Sequence, residues 1–400
     1  MKNCILTLGF ALFFVLPKLE AQEAQDLTPY AFEVDGLDDD LFVTFTRQKL
    51  ENSQFVFIGE QHGILAAGVF TDAMYVLGQP YGYSTLCIET DDIIAQKIAA
   101  VAASDSPIDN AKKTYQEFPF AIPFYNNPED YALFTNVLAQ GGKLWGIDQT
   151  FMAQFRFNFD YLARTAKSPL LQNEAKRLKE KAEMSFEEAV STKNFGKMYI
   201  FQYNREIHDN LHSLATSNQE KEILNQFWKT KEIYGYYATQ ENYKNNNVRG
   251  QLMKQNFMRY YNEAKLKEPT PKVIFKLGGN HAAKGLTSTN IYDIANLGSE
   301  LAISNGHKSL HYLVMGISGE TAVGNPFAPV PSVPFDNLES FPKEIQDAIS
   351  QTSKKYYILD LTKLRELGYG KRFSEEFKKM IFGYDVLVLV ANANAVTSFK

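Results

Sequence analysis

Four short apolar runs, each closing on an acid or a histidine, constrain this chain more than any other feature. The first, Phe55-Val56-Phe57-Ile58, passes through Gly59 into Glu60-Gln61-His62-Gly63. The second, Ser84-Thr85-Leu86-Cys87-Ile88, ends in Glu89. The third, Lys143-Leu144-Trp145-Gly146-Ile147, ends in Asp148, and the fourth, Lys272-Val273-Ile274-Phe275-Lys276-Leu277, runs into Gly278-Gly279-Asn280-His281. Runs of this length, bounded by turn residues, read as buried strands. Helical stretches at residues 64–78, 93–103 and 130–138 separate the first three, and that alternation argues for a parallel sheet. Open α/β sheets bind ligands outside the carboxyl ends of their strands. With the four strands parallel, Glu60, His62, Glu89, Asp148 and His281 converge on one rim.

The rest of the chain fits an α/β fold: a mostly parallel central sheet flanked by helices, with a large helical insertion or cap. From residue 151 to 265, charged and apolar residues recur at helical spacing and no convincing strand appears. Residues 22–150 and 266–400 then form the two halves of the core. Later strands are expected at residues 309–316, 356–361 and 385–390. The four prolines between 325 and 334 mark a loop, and Asp105 to Pro107 breaks a helix. The following stretch is rich in Pro and Phe up to Pro128, and reads as a pocket wall or as packing over the sheet.

Composition excludes some functions. A net charge of −5, with no long basic run, argues against a nucleic-acid partner. Residues 1–21 read as a signal peptide: a basic start, an apolar run from Cys4 to Leu16, then Pro17 and a cleavage site before Gln22. The run is too short to span a bilayer, and no later run is long enough. The mature chain is therefore expected to be exported, periplasmic or extracellular, without a membrane span. It keeps only Cys87, which sits mid-strand and reads as a buried thiol.

A carboxylate and an imidazole at a strand rim can serve as general base and acid, or as metal ligands. Glu60, His62, Glu89 and His281 are the candidate catalytic set, against the plainer reading of acids that cap helices. Tyr357-Ile358-Leu359-Asp360 has the same shape, and Asp360 is assigned no role. His307 and His311 read as structural. His208 and His212 have metal-ligand spacing but lack the glutamate of the zinc-protease helix. Arg249, Met253, Asn256 and Phe257 share one helical face. Asp148, Arg249 and Asn256 are the candidate substrate contacts. No nucleophile elbow, Walker loop or dinucleotide glycine pattern is present. Hydrolysis would therefore run through water activated by an acid/base pair or a metal.

The Gly59-Glu60-Gln61-His62-Gly63 turn, Glu89 closing a strand, the Arg249 to Phe257 helix and Gly279-Asn280-His281 together resemble the erythromycin esterase family and its wider superfamily. That superfamily includes Tiki proteases and haem-uptake lipoproteins of the ChaN type. The Gly-Glu-x-His spacing is closer to the Tiki and ChaN branch; the Arg249 helix and the insertion are closer to the esterases. The esterase resemblance implies a cleft between sheet and insertion, in which His62, Glu60, Glu89 and His281 activate water against an ester. The Tiki resemblance implies a divalent metal on the same four residues and a peptide substrate. The ChaN resemblance implies haem binding. The expectation is an exported hydrolase acting on a small molecule or peptide, with a haem- or iron-binding protein as the alternative. Oligomeric state is not legible in these residues.

Overall fold

A computed structural model describes residues 26–328, 331–368 and 373–399 of the 400-residue chain. The expected signal peptide lies outside the described residues. The strands are β1 (Ala31–Val34), β2 (Ser53–Glu60), β3 (Tyr83–Ile88), β4 (Lys143–Gly146), β5 (Lys272–Gly278), β6 (Lys308–Gly316), β7 (Ser318–Ala322), β8 (Ser332–Asp336), β9 (Tyr356–Asp360) and β10 (Val386–Val390). Eight of them form one sheet in the order β1-β9-β10-β6-β2-β5-β3-β4. From β10 to β4 every neighbouring pair is parallel. β9 runs antiparallel to both its neighbours. This is the α/β architecture expected, and the four apolar runs lie side by side as β2, β5, β3 and β4.

All eight residues of β2 are buried, so both faces of the sheet are covered. Alternation decides which core each side chain joins. Val56, Ile58, Leu86, Ile88 and Ile274 enter one core with helix Leu65–Gly78. Phe55, Phe57, Cys87, Val273 and Phe275 enter the other with helix Ile294–Ser304. Thus the helix after β2 and the helix after β5 leave adjacent parallel strands toward opposite faces. Such a reversal opens a crevice at the strand ends, where ligands bind in folds of this kind.

Local signals explain the helix starts. The Asp91 carboxylate accepts the Ile94 N–H at 2.9 Å and caps helix Asp92–Ala102. Asn127 does the same for helix Pro128–Ala139 through the Asp130 N–H, with Pro128 in its first turn. Between β4 and β5 the described residues form helices only, the last two being Asn218–Ala238 and Asn242–Lys265. Among the described residues no helix is long and apolar enough to cross a membrane.

Three local features went beyond the sequence reading; the break at Asp105 to Pro107 is present, with helix Asp92–Ala102 ending before it. Pro107 begins a helix, Pro107–Glu117, because proline in a first turn supplies the right φ and lacks only an N–H that would go unbonded anyway. β1 went unrecognised because only Val34 of its four residues is buried, leaving no alternation to read. β8 overlaps the expected loop. It pairs only with β7 in a separate two-stranded sheet, so Pro334 can sit where a central strand would exclude it.

Phe57 shows how tightly the second core is fixed. Its ring stacks on Phe275 at 4.1 Å and on His311 at 4.8 Å. A Cβ at Gly298 would collide with the end of that ring, which the two stacked neighbours keep from turning aside. Gly298→Ala is expected to destabilise the protein by about 1–3 kcal/mol, the usual cost of overpacking. Gly235→Ala, on a helix where an added methyl meets nothing, is the control and should be neutral or mildly stabilising. Urea unfolding midpoints of the two variants check the difference.

Candidate active site

The carboxyl ends of β2, β5, β3 and β4 carry the site. Glu60 is the last residue of β2, and His62 stands on the turn just beyond it. That turn needs Gly63, whose φ is 83°. A Cβ there would also strike Thr321 and Ala322 of β7. The Thr321 hydroxyl donates to the His62 carbonyl at 2.9 Å, so the small sheet clamps the turn from outside. His62 Nδ1 meets Glu60 Oε1 at 2.9 Å.

Glu89 lies at the centre, with 2% of its side chain exposed. One oxygen, Oε2, is 3.7 Å from His62 Nε2 and accepts the Gly278 N–H. The other, Oε1, is 3.6 Å from His281 Nε2 and accepts from Arg249 at 2.7 Å. Gly278 must lack a side chain, because a Cβ would lie 2.8 Å from His62 Nε2 and 3.3 Å from Glu89. His281 Nδ1 is held in turn by Asp293 Oδ2 at 2.7 Å. Each imidazole therefore has a carboxylate on Nδ1 and turns Nε2 toward Glu89.

Asp148 stands one step further out and grips Arg249 in a two-pronged contact, with Nε at 2.9 Å and a second nitrogen at 2.5 Å. Helix Asn242–Lys265 brings Arg249 to the rim while Met253 and Phe257 bury against the sheet. Asn256 is not part of this cluster. Its amide donates to the Ile147 carbonyl at 3.0 Å and fixes the helix to the end of β4.

The most informative residue that the sequence reading passed over is Lys276. It is 3% exposed, with Nζ 2.7 Å from Glu60 and 3.2 Å from Asp130. Its signal was a lone charge inside an apolar strand that is buried on both faces. Burial alone would push its ammonium down, but Asp130 and Glu60 outweigh that and raise it. Burial would likewise raise Glu60, yet Lys276 and then His62 bring it below the ordinary carboxylate value. Burial raises Asp130, and the neighbouring Glu60 adds to that rise. For Glu89 the opposing charges of His281, His62 and Arg249 overcome burial and lower it to about 2. Burial would lower His281, but Glu89 and Asp293 raise it against the opposing charge of Arg249. Asp293 gave no sequence signal beyond preceding a helix, whose first N–H it also caps.

The aromatic loop serves both of its expected purposes. Tyr125 is buried beneath the site, and its hydroxyl oxygen accepts the Glu89 N–H at 3.1 Å. Phe124, held at φ 63°, lays its ring on His62 at 3.9 Å. A left-handed conformation at a large side chain is strained, and it sits where the loop meets the imidazole. A cavity of about 310 Å³ opens beside His62, lined by Phe120, Phe124, Asn126 and Phe399 among others. Among the described residues no Asp, Glu, Lys or Arg lines it.

The four residues proposed as metal ligands do not fit a divalent ion. Glu60 is already paired with Lys276, and Glu89 with Arg249 and the Gly278 N–H, so neither carboxylate is free to neutralise one. Among the described residues no group of three or more His, Cys, Asp or Glu is arranged to hold a metal. His208 is buried on Tyr203, its Nδ1 3.1 Å from that hydroxyl. His311 is buried between Ser309 and the Ala282 carbonyl. Lys284 pairs with Asp385, away from the rim.

Comparison with known proteins bears on the fold. No protein-family profile and no curated protein sequence matches the chain. Among solved structures, it is similar to a mutant of the erythromycin esterase EreC in its open conformation, with TM-score 0.57 and 13% identity. That match covers 90% of this chain and 96% of the other. It is also similar to a Bacillus cereus protein, with TM-score 0.56, 13% identity and coverage of 94% and 98%. The chain thus has an erythromycin esterase-like fold.

Two outcomes follow from the buried charges. Lys276→Met leaves Glu60 and Asp130 facing each other without a cation. It is expected to cost about 3–5 kcal/mol in urea unfolding, with part recovered by adding Asp130→Asn. Separately, Glu89 titrates at about 2 in the folded chain against an ordinary 4.5. A lowered carboxylate contributes stability that is complete above its unfolded value and is lost as pH falls through the folded one. Wild-type stability should therefore decline between about pH 4.5 and pH 2, and Glu89→Gln should flatten that decline in pH-dependent unfolding curves.

Proposed function

We propose that this protein is a hydrolase that cleaves an ester or amide with water activated at the His62–Glu89–His281 cluster. The observation that supports this reading is the pairing of two imidazoles. Each has Nδ1 fixed by its own carboxylate, both Nε2 atoms face Glu89, and His62 lines an open cavity. Fixing Nδ1 sets the ring's tautomer and leaves Nε2 to exchange protons.

The roles divide by exposure and charge. His62 has a third of its side chain exposed and lines the cavity. It acts as general base: water attacks the carbonyl carbon and gives its proton to His62 Nε2. His281 is more enclosed, and its raised value favours the imidazolium. It supplies the proton that the leaving oxygen or nitrogen takes when the scissile bond breaks. Glu89, held ionised by His281, His62 and Arg249, stabilises the charge that forms on either ring. Arg249 is positioned by Asp148 and acts through Glu89. The uncharged, aromatic lining of the cavity suits an uncharged part of the substrate. The proposal includes export: with residues 1–21 read as a signal peptide, the activity would lie outside the cytoplasm.

A panel of esters and amides tests the proposal. With a substrate found, His62→Ala and His281→Ala are each expected to lower kcat/KM roughly a hundred- to ten-thousand-fold. Loss of the His281 proton should make the rate fall as pH rises through a value above 6.5. Full turnover in both variants would overturn the reading.

A further inference from the structure

The rim opposite the candidate site holds a second cavity, of about 450 Å³, at the start of β2 and β6. Its lining includes four cations, Lys49, Lys284, Lys308 and Arg365, and a single carboxylate, Asp385. Asp385 is fully engaged. Its Oδ1 accepts from Lys284 at 2.7 Å and from Arg365 at 2.6 Å, and its Oδ2 accepts the His311 N–H at 2.8 Å. Lys49 reaches Asp360 at 3.1 Å. Counting both acids, four positive charges stand against two negative ones, a surplus of +2 among the described residues.

Three of these cations are partly withdrawn from water: the side chains of Lys49 and Lys284 are 18% exposed and that of Arg365 is 29% exposed. Two cations sharing one carboxylate in such surroundings leave a charge uncompensated, which is costly. Lys284 registers it. Burial lowers its ammonium, and the nearby Arg365 and Lys49 lower it further against the pull of Asp385. Among the described residues its Nζ meets no acceptor besides Asp385, which leaves two of its three protons unused. Lys308 is exposed at the mouth, and the amide side chains of Gln48 and Asn52 add donors to the wall.

We propose that this cavity binds a doubly charged tetrahedral oxyanion, inorganic phosphate or the phosphoryl group of a small organic molecule, between Lys284 and Lys308. A dianion cancels the surplus charge, and its oxygens accept the unused ammonium protons in charge-assisted bonds. The site is separate from the His62–Glu89–His281 cluster and does not depend on the hydrolase reading.

Thermal unfolding of the full chain tests this with sodium phosphate, sulfate or acetate against sodium chloride at equal ionic strength. Phosphate and sulfate should raise Tm in proportion to the logarithm of their concentration, and acetate should do so far less. Calorimetric titration should show phosphate binding weakened about tenfold by Lys308→Ala, an exposed position that leaves the fold intact, and abolished by Lys284→Met. Glycerol phosphate binding more tightly than inorganic phosphate would identify an organic phosphate as the ligand, and equal binding would identify the free ion. A phosphate effect no larger than that of chloride, or one unchanged in both variants, would overturn the proposal.

Discussion

The buried carboxylate of Glu89 is the constraint on which the site depends. A charge placed where parallel strands end, with almost no exposure, must find its compensation inside the protein. It does so through Arg249, the Gly278 N–H and two imidazoles, and each of these draws in a distant segment of the chain. Arg249 needs the long helix before β5 and the grip of Asp148. Gly278 needs a bare backbone. His281 needs Asp293 at the head of another helix. The geometry of the rim is therefore the geometry of satisfying one carboxylate.

Lys276 meets a parallel need beneath the rim. Glu60 could not remain ionised beside Asp130 in a buried strand without a cation between them. With Glu60 ionised, His62 Nδ1 has a fixed partner and Nε2 is left facing the cleft. A side chain wholly inside the core thus governs the presentation of a partly exposed one. The fold makes this possible by alternation, since Glu60 and Lys276 lie on neighbouring parallel strands and point to the same face.

Sequence and structure agree most where the signal was repeated. Four apolar runs ending in acids or histidines did become adjacent parallel strands, and five of the named residues gathered at one edge. Asp360 marks where the shape alone fails. It ends an apolar strand just as Glu89 does, yet β9 runs antiparallel, so its carboxyl end lies at the opposite rim, paired with the start of β10. There Asp360 caps a short turn and pairs with Lys49. Strand direction is set by pairing with distant segments, and no local pattern encodes it. Asn256 carries a related lesson. It shares a helical face with Arg249, yet two turns of helix carry it to the Ile147 carbonyl and out of the cluster.

For the four apolar runs, the sequence by itself determined that they are buried, where they stop and which reactive side chains stand at the stops, because burial and turn chemistry are written in local order. It determined the helical character of the stretch between β4 and β5 for the same reason. Only the tertiary structure decided that Lys276 and Asp293 belong with the site, why Asp360 stands apart from it, and that the two carboxylates among the candidate metal ligands are already neutralised by fixed cations. Those outcomes depend on which charges come to face one another across strands and helices far apart in the chain. Electrostatic compensation in a low-dielectric interior is a property of that assembled arrangement, and of no single stretch within it.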